Sequence, residues 1–228
     1  NTAATLASEQ FRRALADTSN PSRNVAYFVT GIPGAGKSTA FAKGEPPASA
    51  RVVYEGQLAN LRVAEQKIDA AVRAGTVPSV TVVHIEPEAA LTKVIHRHSD
   101  IGRGATIEAM ARIQGNLPNA LQAIHNKFGQ RVRFSLLDRR DNETKTARGW
   151  CHLRQLESEG TYEEIRQRLR YDLERRHRAS EISEDTYRAI LGEVPGSTGL
   201  SGGRPTSRSG GPGGGGVPGT RSETPEGT

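Results

Sequence analysis

A glycine-rich segment near the start of the chain has the residue types and spacing of a phosphate-binding loop. The segment from Gly31 to Ser38 fits the Walker A pattern G-x-x-x-x-G-K-S/T. In such a loop, successive backbone N–H groups turn inward around an anion, and glycine leaves room for the phosphate. Lys37 would add a mobile cation for the β and γ phosphates, and the Ser38 hydroxyl would be a ligand for Mg²⁺. The predicted ATP-binding residues are Gly31, Ile32, Pro33, Gly34, Ala35, Gly36, Lys37, Ser38 and Thr39.

The segments on either side of this loop fit the same interpretation. The residues from Val25 to Val29 are almost all apolar, as expected of a parallel strand that is buried on both faces. A short helix is predicted from Ser38 to Lys43, because Gly44 and the two prolines that follow end it early. These flanks favour a phosphate loop over a glycine turn that binds nothing.

Three charged residues outside the loop are candidates for chemistry on a bound phosphate. Arg97 and Arg103 flank a glycine-containing segment after the third predicted strand, where a mobile lid would bring them over a γ-phosphate. The alternative for Arg97 is a solvated basic helix end, where positive charge is favourable in any case. Glu55 ends the second predicted strand, at the edge where α/β sheets collect ligand groups.

A metal site is the less favoured interpretation of the histidines. His96 and His98 alternate, so they point to different sides of a helix, and neither they nor His84 have a cysteine or carboxylate cluster beside them. We therefore expect solvated histidines.

Apolar periodicity in the rest of the chain alternates between strand and helix, which is typical of a three-layer α/β, P-loop NTPase-like domain with a mainly parallel central sheet. The predicted domain covers residues 1–192, and the Gly/Pro/Ser-rich residues 193–228 are expected to be a disordered tail or linker. The strands are predicted at 25–29, 51–56, 79–85 and 131–138, with a turn or hairpin at 138–149. The helices are predicted at 3–17, 38–43, 58–74, 87–98, 106–128 with breaks at Gly115 and Pro118, 161–177 and 184–191.

Composition narrows the ligands and the compartment. The charged residues of the tail cancel, so the net charge of +6 belongs to residues 1–192 and suits anionic ligands. A single cysteine, Cys151, excludes an internal disulfide and indicates a reducing compartment, the cytoplasm. No apolar run approaches membrane-spanning length. Because the chain begins with Asn1 rather than Met, we interpret it as a segment of a longer protein, with the tail connecting to another domain.

Several short segments, taken together and in order, resemble the zeta toxin family over about residues 10–138. Members of that family are P-loop kinases of bacterial toxin–antitoxin systems, which use ATP to phosphorylate an amino-sugar hydroxyl of UDP-N-acetylglucosamine. The resemblance therefore implies a kinase with a small-molecule substrate, for example a nucleotide sugar, and with an antitoxin protein as its partner. The matching segments are Val53–Gly56, Ile85–Pro87, Gly102–Thr106, Asn116–His125 and Lys127.

The same resemblance assigns roles and shows one departure. Lys37 and Ser38 would hold the nucleotide phosphates and magnesium, Glu55 matches a glutamate near the substrate, and Arg103 and its partner Arg97 would stabilise the transferred phosphate. In the family, a catalytic aspartate lies between the phosphate loop and the strand that ends in Glu-Gly, which here is the strand ending at Glu55 and Gly56. That aspartate is missing, because residues 39–54 contain no aspartate. Either Glu55 is the base, or the substrate differs, or the chain binds nucleotide without transferring phosphate.

Three hypotheses follow from these residues. The leading one is a divergent kinase that phosphorylates a hydroxyl, and the rival is a catalytically degenerate ATP-binding module of a larger protein. The third is nucleic-acid binding through the arginine-rich helix from Arg166 to Arg178. Acidic residues offset much of the charge on that helix, so a solvated face is favoured there.

Overall fold

A computed structural model describes residues 2–42, 46–140 and 143–193 of the chain. The predicted tail lies outside the described residues, apart from Glu193. The strands are β1 (Val25–Thr30), β2 (Ala50–Glu55), β3 (Val77–His84), β4 (Arg133–Asp138) and β5 (Lys145–Arg148). The α-helices are α1 (Thr2–Ala16), α2 (Lys37–Ala42), α3 (Leu61–Arg73), α4 (Pro87–Ile101), α5 (Ile107–Phe128), α6 (Tyr162–Arg178) and α7 (Glu184–Leu191), and the segments Gly129–Arg131 and Trp150–Glu159 are 3₁₀ helices.

The five strands form one sheet in the order β2-β1-β3-β4-β5. The first four are parallel, and β5 pairs antiparallel with β4 as the predicted hairpin. Val29 pairs with Glu55, and Thr30 pairs with Val82. The carboxyl ends of β1 and β2 therefore lie at the same edge of the sheet. The glycine-rich loop that is predicted to bind phosphate begins at that edge.

Helices cover both faces of this sheet, because β1 is apolar on both of its sides. Ala26 and Phe28 belong to the core that α1, α3 and the second half of α5 form, whereas Val25, Tyr27 and Val29 face α4, α6, α7 and the first half of α5. The chain therefore has a three-layer α/β fold with a mainly parallel sheet, as the sequence predicts.

The predicted interruptions of the long helix at Gly115 and Pro118 are wrong, since α5 continues through both residues. Proline removes one backbone donor, which a helix of 22 residues with a buried face tolerates. A Cβ on Gly115 would lie 2.7 Å from the backbone nitrogen of Tyr162. Glycine is there because α6 packs closely against α5, and the residue does not end the helix.

Helix ends agree with local capping signals. Thr161 and Glu164 form the predicted capping box of α6. The helix α4 runs to Ile101, beyond the predicted end at His98, because Gly102 is the residue that adopts the left-handed conformation, with φ at 65°. The 3₁₀ segment after β5 was not predicted, and it buries Leu153, Leu156 and Glu159, which are three residues apart, as the 3₁₀ period requires.

Candidate phosphate-binding cleft

A cleft of about 760 Å³ opens at the carboxyl edge of the sheet, above the phosphate loop. The loop, the end of β2, one face of α4 and the connection from α4 to α5 line it, so segments far apart in the chain meet there. The basic side chains in its lining, Lys37, Lys93, Arg97 and Arg103, suit an anionic ligand. The residues that line it include Gly31, Pro33, Gly34, Gly36, Lys37, Ser38, Thr39, Glu55, Gly56, Gln57, Lys93, Arg97, Arg103 and Gly104.

The loop packs closely against α4. Ile32 and Ala35 are fully buried in the core beside α4 and do not line the cleft, so they can serve a ligand only through their backbone groups. A Cβ on Gly34 would collide with the carbonyl of Ala90, and φ at Gly34 is +89°. Only glycine combines this close approach with this conformation.

Lys37 lies half-buried at the start of α2. Its Nζ donates hydrogen bonds to the carbonyl oxygens of Gly31, at 3.0 Å, and Ile32, at 3.2 Å. Burial lowers the pKa of Lys37, the nearby Glu55 carboxylate opposes this by raising it, and Arg97 lowers it further. A bound phosphate would compensate the buried ammonium, because an opposite charge favours the protonated form.

Glu55 is placed by contacts between the ends of two strands. The Gly56 N–H donates to the Val29 carbonyl at 3.0 Å, and the Leu58 N–H donates to the Thr30 hydroxyl at 3.2 Å. These bonds fix the turn that follows Glu55. Its carboxylate is exposed in the cleft and forms no hydrogen bond or ion pair with any residue that the structure describes. It is therefore accessible to a ligand or to a substrate proton.

Arg97 and Arg103 both line the cleft, so the structure brings these two predicted residues together with the loop. Arg97 is on α4, and the left-handed turn at Gly102 leads the chain back to Arg103. Both side chains are exposed, and neither has a carboxylate partner within the described part of the chain. Their positive charge is available to an anion in the cleft.

Two basic residues near the loop were not predicted from the sequence. Lys93 lines the cleft from α4, and both burial and Arg139 lower its pKa. Arg139 follows β4, and its Nη1 donates to the carbonyl oxygens of Ala35 and Gly36, each at 3.2 Å. The available signals were the four-residue spacing from Lys93 to Arg97 and the position of Arg139 just after a parallel strand.

Other ionisable residues near this edge are engaged in structural contacts. Arg140 holds Asp138, with Nη2 at 2.7 Å from Oδ2, and this hydrogen bond lowers the pKa of Asp138. The expectation of a solvated histidine is wrong for His84, which is 1% exposed and has Nε2 at 3.0 Å from Glu159 Oε1. His96 is exposed, as expected, whereas His98 is half-buried.

Two oxygen-bearing side chains of the cleft are of the kind that magnesium prefers. The Ser38 hydroxyl and the Glu55 carboxylate are oxygen groups that line the cleft, and Mg²⁺ is usually held by few protein oxygens together with substrate phosphates. Among the described residues, no group of three or more histidine, cysteine, aspartate or glutamate side chains is arranged to hold a metal ion by itself. A metal bound here would therefore depend on phosphate oxygens.

The arginines of α6 are largely paired with acidic residues. Arg168 binds Glu88 at 2.7 Å, and Asp172 accepts from both Arg175 and Arg176. This pairing fits the solvated helix face that the sequence favours over a nucleic-acid site.

No protein-family model and no curated protein sequence matches the chain. Among solved structures, a similar chain belongs to the native crystal structure of the AvrRxo1-ORF1:-ORF2 complex, with 12% sequence identity and a TM-score of 0.47. The similarity covers 80% of this chain and 81% of that one. None of the helices in the described residues is long and apolar enough to cross a membrane.

Proposed function

We propose that the chain is an ATP- and magnesium-dependent phosphotransferase that phosphorylates a hydroxyl of a small substrate. The observation that carries the proposal is the accessible carboxylate of Glu55 in the same cleft as Lys37, Arg97 and Arg103. A carboxylate and several cations are the groups that hydroxyl-to-phosphate transfer needs. The resemblance to zeta toxins makes UDP-N-acetylglucosamine the first acceptor to test, a protein antitoxin the expected partner and the cytoplasm the expected compartment.

The reaction would use the residues of the cleft in distinct roles. Backbone N–H groups of the loop and Lys37 bind the β and γ phosphates, while Arg97 and Arg103 stabilise the charge on the transferring group. Glu55 accepts the proton of the attacking hydroxyl while the hydroxyl oxygen forms a bond to the γ-phosphorus. The bond to the β–γ bridging oxygen breaks, and ADP leaves. Magnesium, held by Ser38, would neutralise charge on the phosphate oxygens.

The assignment of Glu55 as the base rests on its accessibility and on the short segment before it. After the six-residue helix α2, the chain enters β2 at Ala50, and the interval from Thr39 to Tyr54 has no aspartate. Asp138 follows a neighbouring strand, but Arg140 already binds it. Glu55 is thus the carboxylate that lines the cleft within the described part of the chain.

The test combines purified protein with ATP, MgCl₂ and UDP-N-acetylglucosamine, and follows ADP release and the phosphorylated product by mass spectrometry. We expect product from the natural protein and a loss of at least about 100-fold in Lys37→Ala, because a phosphate-binding cation is removed. Asp69→Asn, on the surface of α3, is a matched control that keeps full activity. ADP release equal to that of Lys37→Ala would reject this acceptor.

The rival function, nucleotide binding without transfer, is favoured by one observation, the missing aspartate after the phosphate loop. Calorimetry separates the two functions. Binding of ATP with magnesium, together with no phosphorylated product from a panel of sugar nucleotides, would support the rival. Absence of ATP binding would reject both.

A further inference from the structure

Arg139 lies on the phosphate loop although the two are distant in sequence. It follows β4 directly, and its backbone N–H donates to the His84 carbonyl at 2.9 Å, which fixes the start of its side chain at the carboxyl edge of the sheet. Its Nη1 donates to the carbonyl oxygens of Ala35 and Gly36, 104 and 103 residues away along the chain. Two hydrogen bonds from one guanidinium nitrogen thus hold two consecutive peptide units of the loop.

These two peptide units also carry the amide donors of the loop. The carbonyl of Ala35 shares its peptide with the Gly36 N–H, and the carbonyl of Gly36 shares its peptide with the Lys37 N–H. In a trans peptide the C=O and N–H bonds point in opposite directions. A cation that binds the two oxygens therefore turns the two N–H groups away from itself, and it also strengthens them as donors by polarising each peptide.

The space around Gly36 supports a fitted contact. Nη1 of Arg139 occupies the space where a Cβ on Gly36 would lie, and the backbone itself favours glycine there because φ is +82°. Arg139 has no carboxylate partner among the described residues, and its positive charge contributes to the lowered pKa of nearby Lys93. Two cations thus lie close together beside the loop, an arrangement that a bound polyphosphate would stabilise.

We propose that Arg139 is a positioning residue of the phosphate loop, which holds the Gly36 and Lys37 N–H groups toward the ligand and thereby sets the affinity for the polyphosphate of a nucleotide. The proposal rests on the proposed function in that it takes this loop as the nucleotide site. It predicts that Arg139 acts through the backbone of the loop.

The test compares Arg139→Gln and Arg139→Lys with Arg148→Gln, which removes an exposed arginine from β5. Calorimetry measures the binding of ATP and of inorganic tripolyphosphate, each with magnesium, and ¹⁵N NMR relaxation measures backbone order at Gly36 and Lys37. We expect Arg139→Gln to weaken both ligands about tenfold, as for the loss of charge-assisted hydrogen bonds. The order parameters of Gly36 and Lys37 should fall toward the values of a flexible loop, below about 0.6. Arg139→Lys should restore part of both losses, and Arg148→Gln should match the natural protein.

The remaining outcomes reject the inference in ways that separate it from the proposed function. Unchanged affinity in Arg139→Gln rejects it while nucleotide binding stands, and weaker affinity with unchanged order at both residues means that Arg139 contacts the ligand directly. A fall in order throughout the chain, with a lower melting temperature, means a general structural role. If the natural protein binds neither ligand, the proposed function fails, and unchanged order at Gly36 and Lys37 would then reject the positioning role as well.

Discussion

Glu55 acts on Lys37 through space without pairing with it. The carboxylate raises the pKa of Lys37 against the lowering effect of burial, while the Lys37 ammonium donates to backbone carbonyls of the loop. The two charged groups therefore do not form an ion pair with each other. A cation and a carboxylate that stay separately accessible in one cleft can act on different atoms of the same bound substrates.

Replacing Glu55 with glutamine should separate chemistry from binding. We expect kcat to fall by about 10²- to 10⁴-fold with little change in ATP affinity, because the substrate hydroxyl loses its proton acceptor. The pKa of Lys37 should fall further, since Glu55 raises it in the natural protein. The alkaline limit of ATP binding would then move to lower pH, which calorimetry across pH measures.

The matched control for this substitution is Glu157→Gln, which neutralises an exposed carboxylate outside the cleft. It should leave kcat and the pH profile unchanged. If Glu55→Gln keeps the natural kcat, Glu55 is not the base.

Arg103→Gln and Arg97→Gln should each reduce phosphate transfer. Removing one donor that stabilises a transition state costs about 10²- to 10³-fold in kcat, and both arginines line the cleft without an acidic partner in the described residues. Single-turnover kinetics with saturating ATP would measure the effect. Arg112→Gln, an exposed change on α5, is the control, and kcat values that match this control would assign the two arginines to the solvated surface.

The buried pair of His84 and Glu159 should make stability depend on acid pH. The hydrogen bond from His84 and the positive charges nearby hold the pKa of Glu159 below its ordinary value of 4.5. The resulting stabilisation is present above pH 4.5 and is lost as the pH falls through the lowered pKa. Urea unfolding at pH 6 and at lower pH values measures this loss.

In Glu159→Gln the free energy of unfolding at pH 6 should fall by about 1–3 kcal/mol, since the buried carboxylate and its contact with His84 are removed. Below the ordinary glutamate pKa, the free energy of unfolding of this variant should fall less steeply with decreasing pH than that of the natural protein. An acid profile identical to that of the natural protein would show that other carboxylates dominate acid unfolding.

Gly115→Ala tests the close packing of α5 against α6. Alanine favours a helix by about 1 kcal/mol over glycine, but its Cβ would lie 2.7 and 2.8 Å from the Tyr162 backbone N and Cα, which cannot rotate aside. Overpacking of this kind costs about 1–3 kcal/mol, so we expect net destabilisation by about 1 kcal/mol in urea unfolding. Asn116→Ala, exposed on the same helix, should stabilise slightly. A more stable Gly115→Ala variant would contradict the close contact.

Most strands and helices could be predicted because their signals are local. β1 was read from its apolar run and α6 from its capping box, and both are present. The predicted breaks in α5 are wrong, because glycine at position 115 accommodates the backbone of Tyr162, which is distant in the sequence. Likewise, the burial of His84 depends on Glu159, which is distant in the sequence and lies on a 3₁₀ helix.

The sequence by itself determined the glycine-rich segment that we expect to bind phosphate, because the pattern of glycines with its lysine and serine needs only eight consecutive residues. Only the tertiary structure decided what surrounds the loop. Parallel pairing brings the ends of β2 and β4 to the same edge as the end of β1, and this register is set by the whole sheet. The accessible position of Glu55 and the contact of Arg139 with Gly36 follow from that register, and no local pattern encodes it.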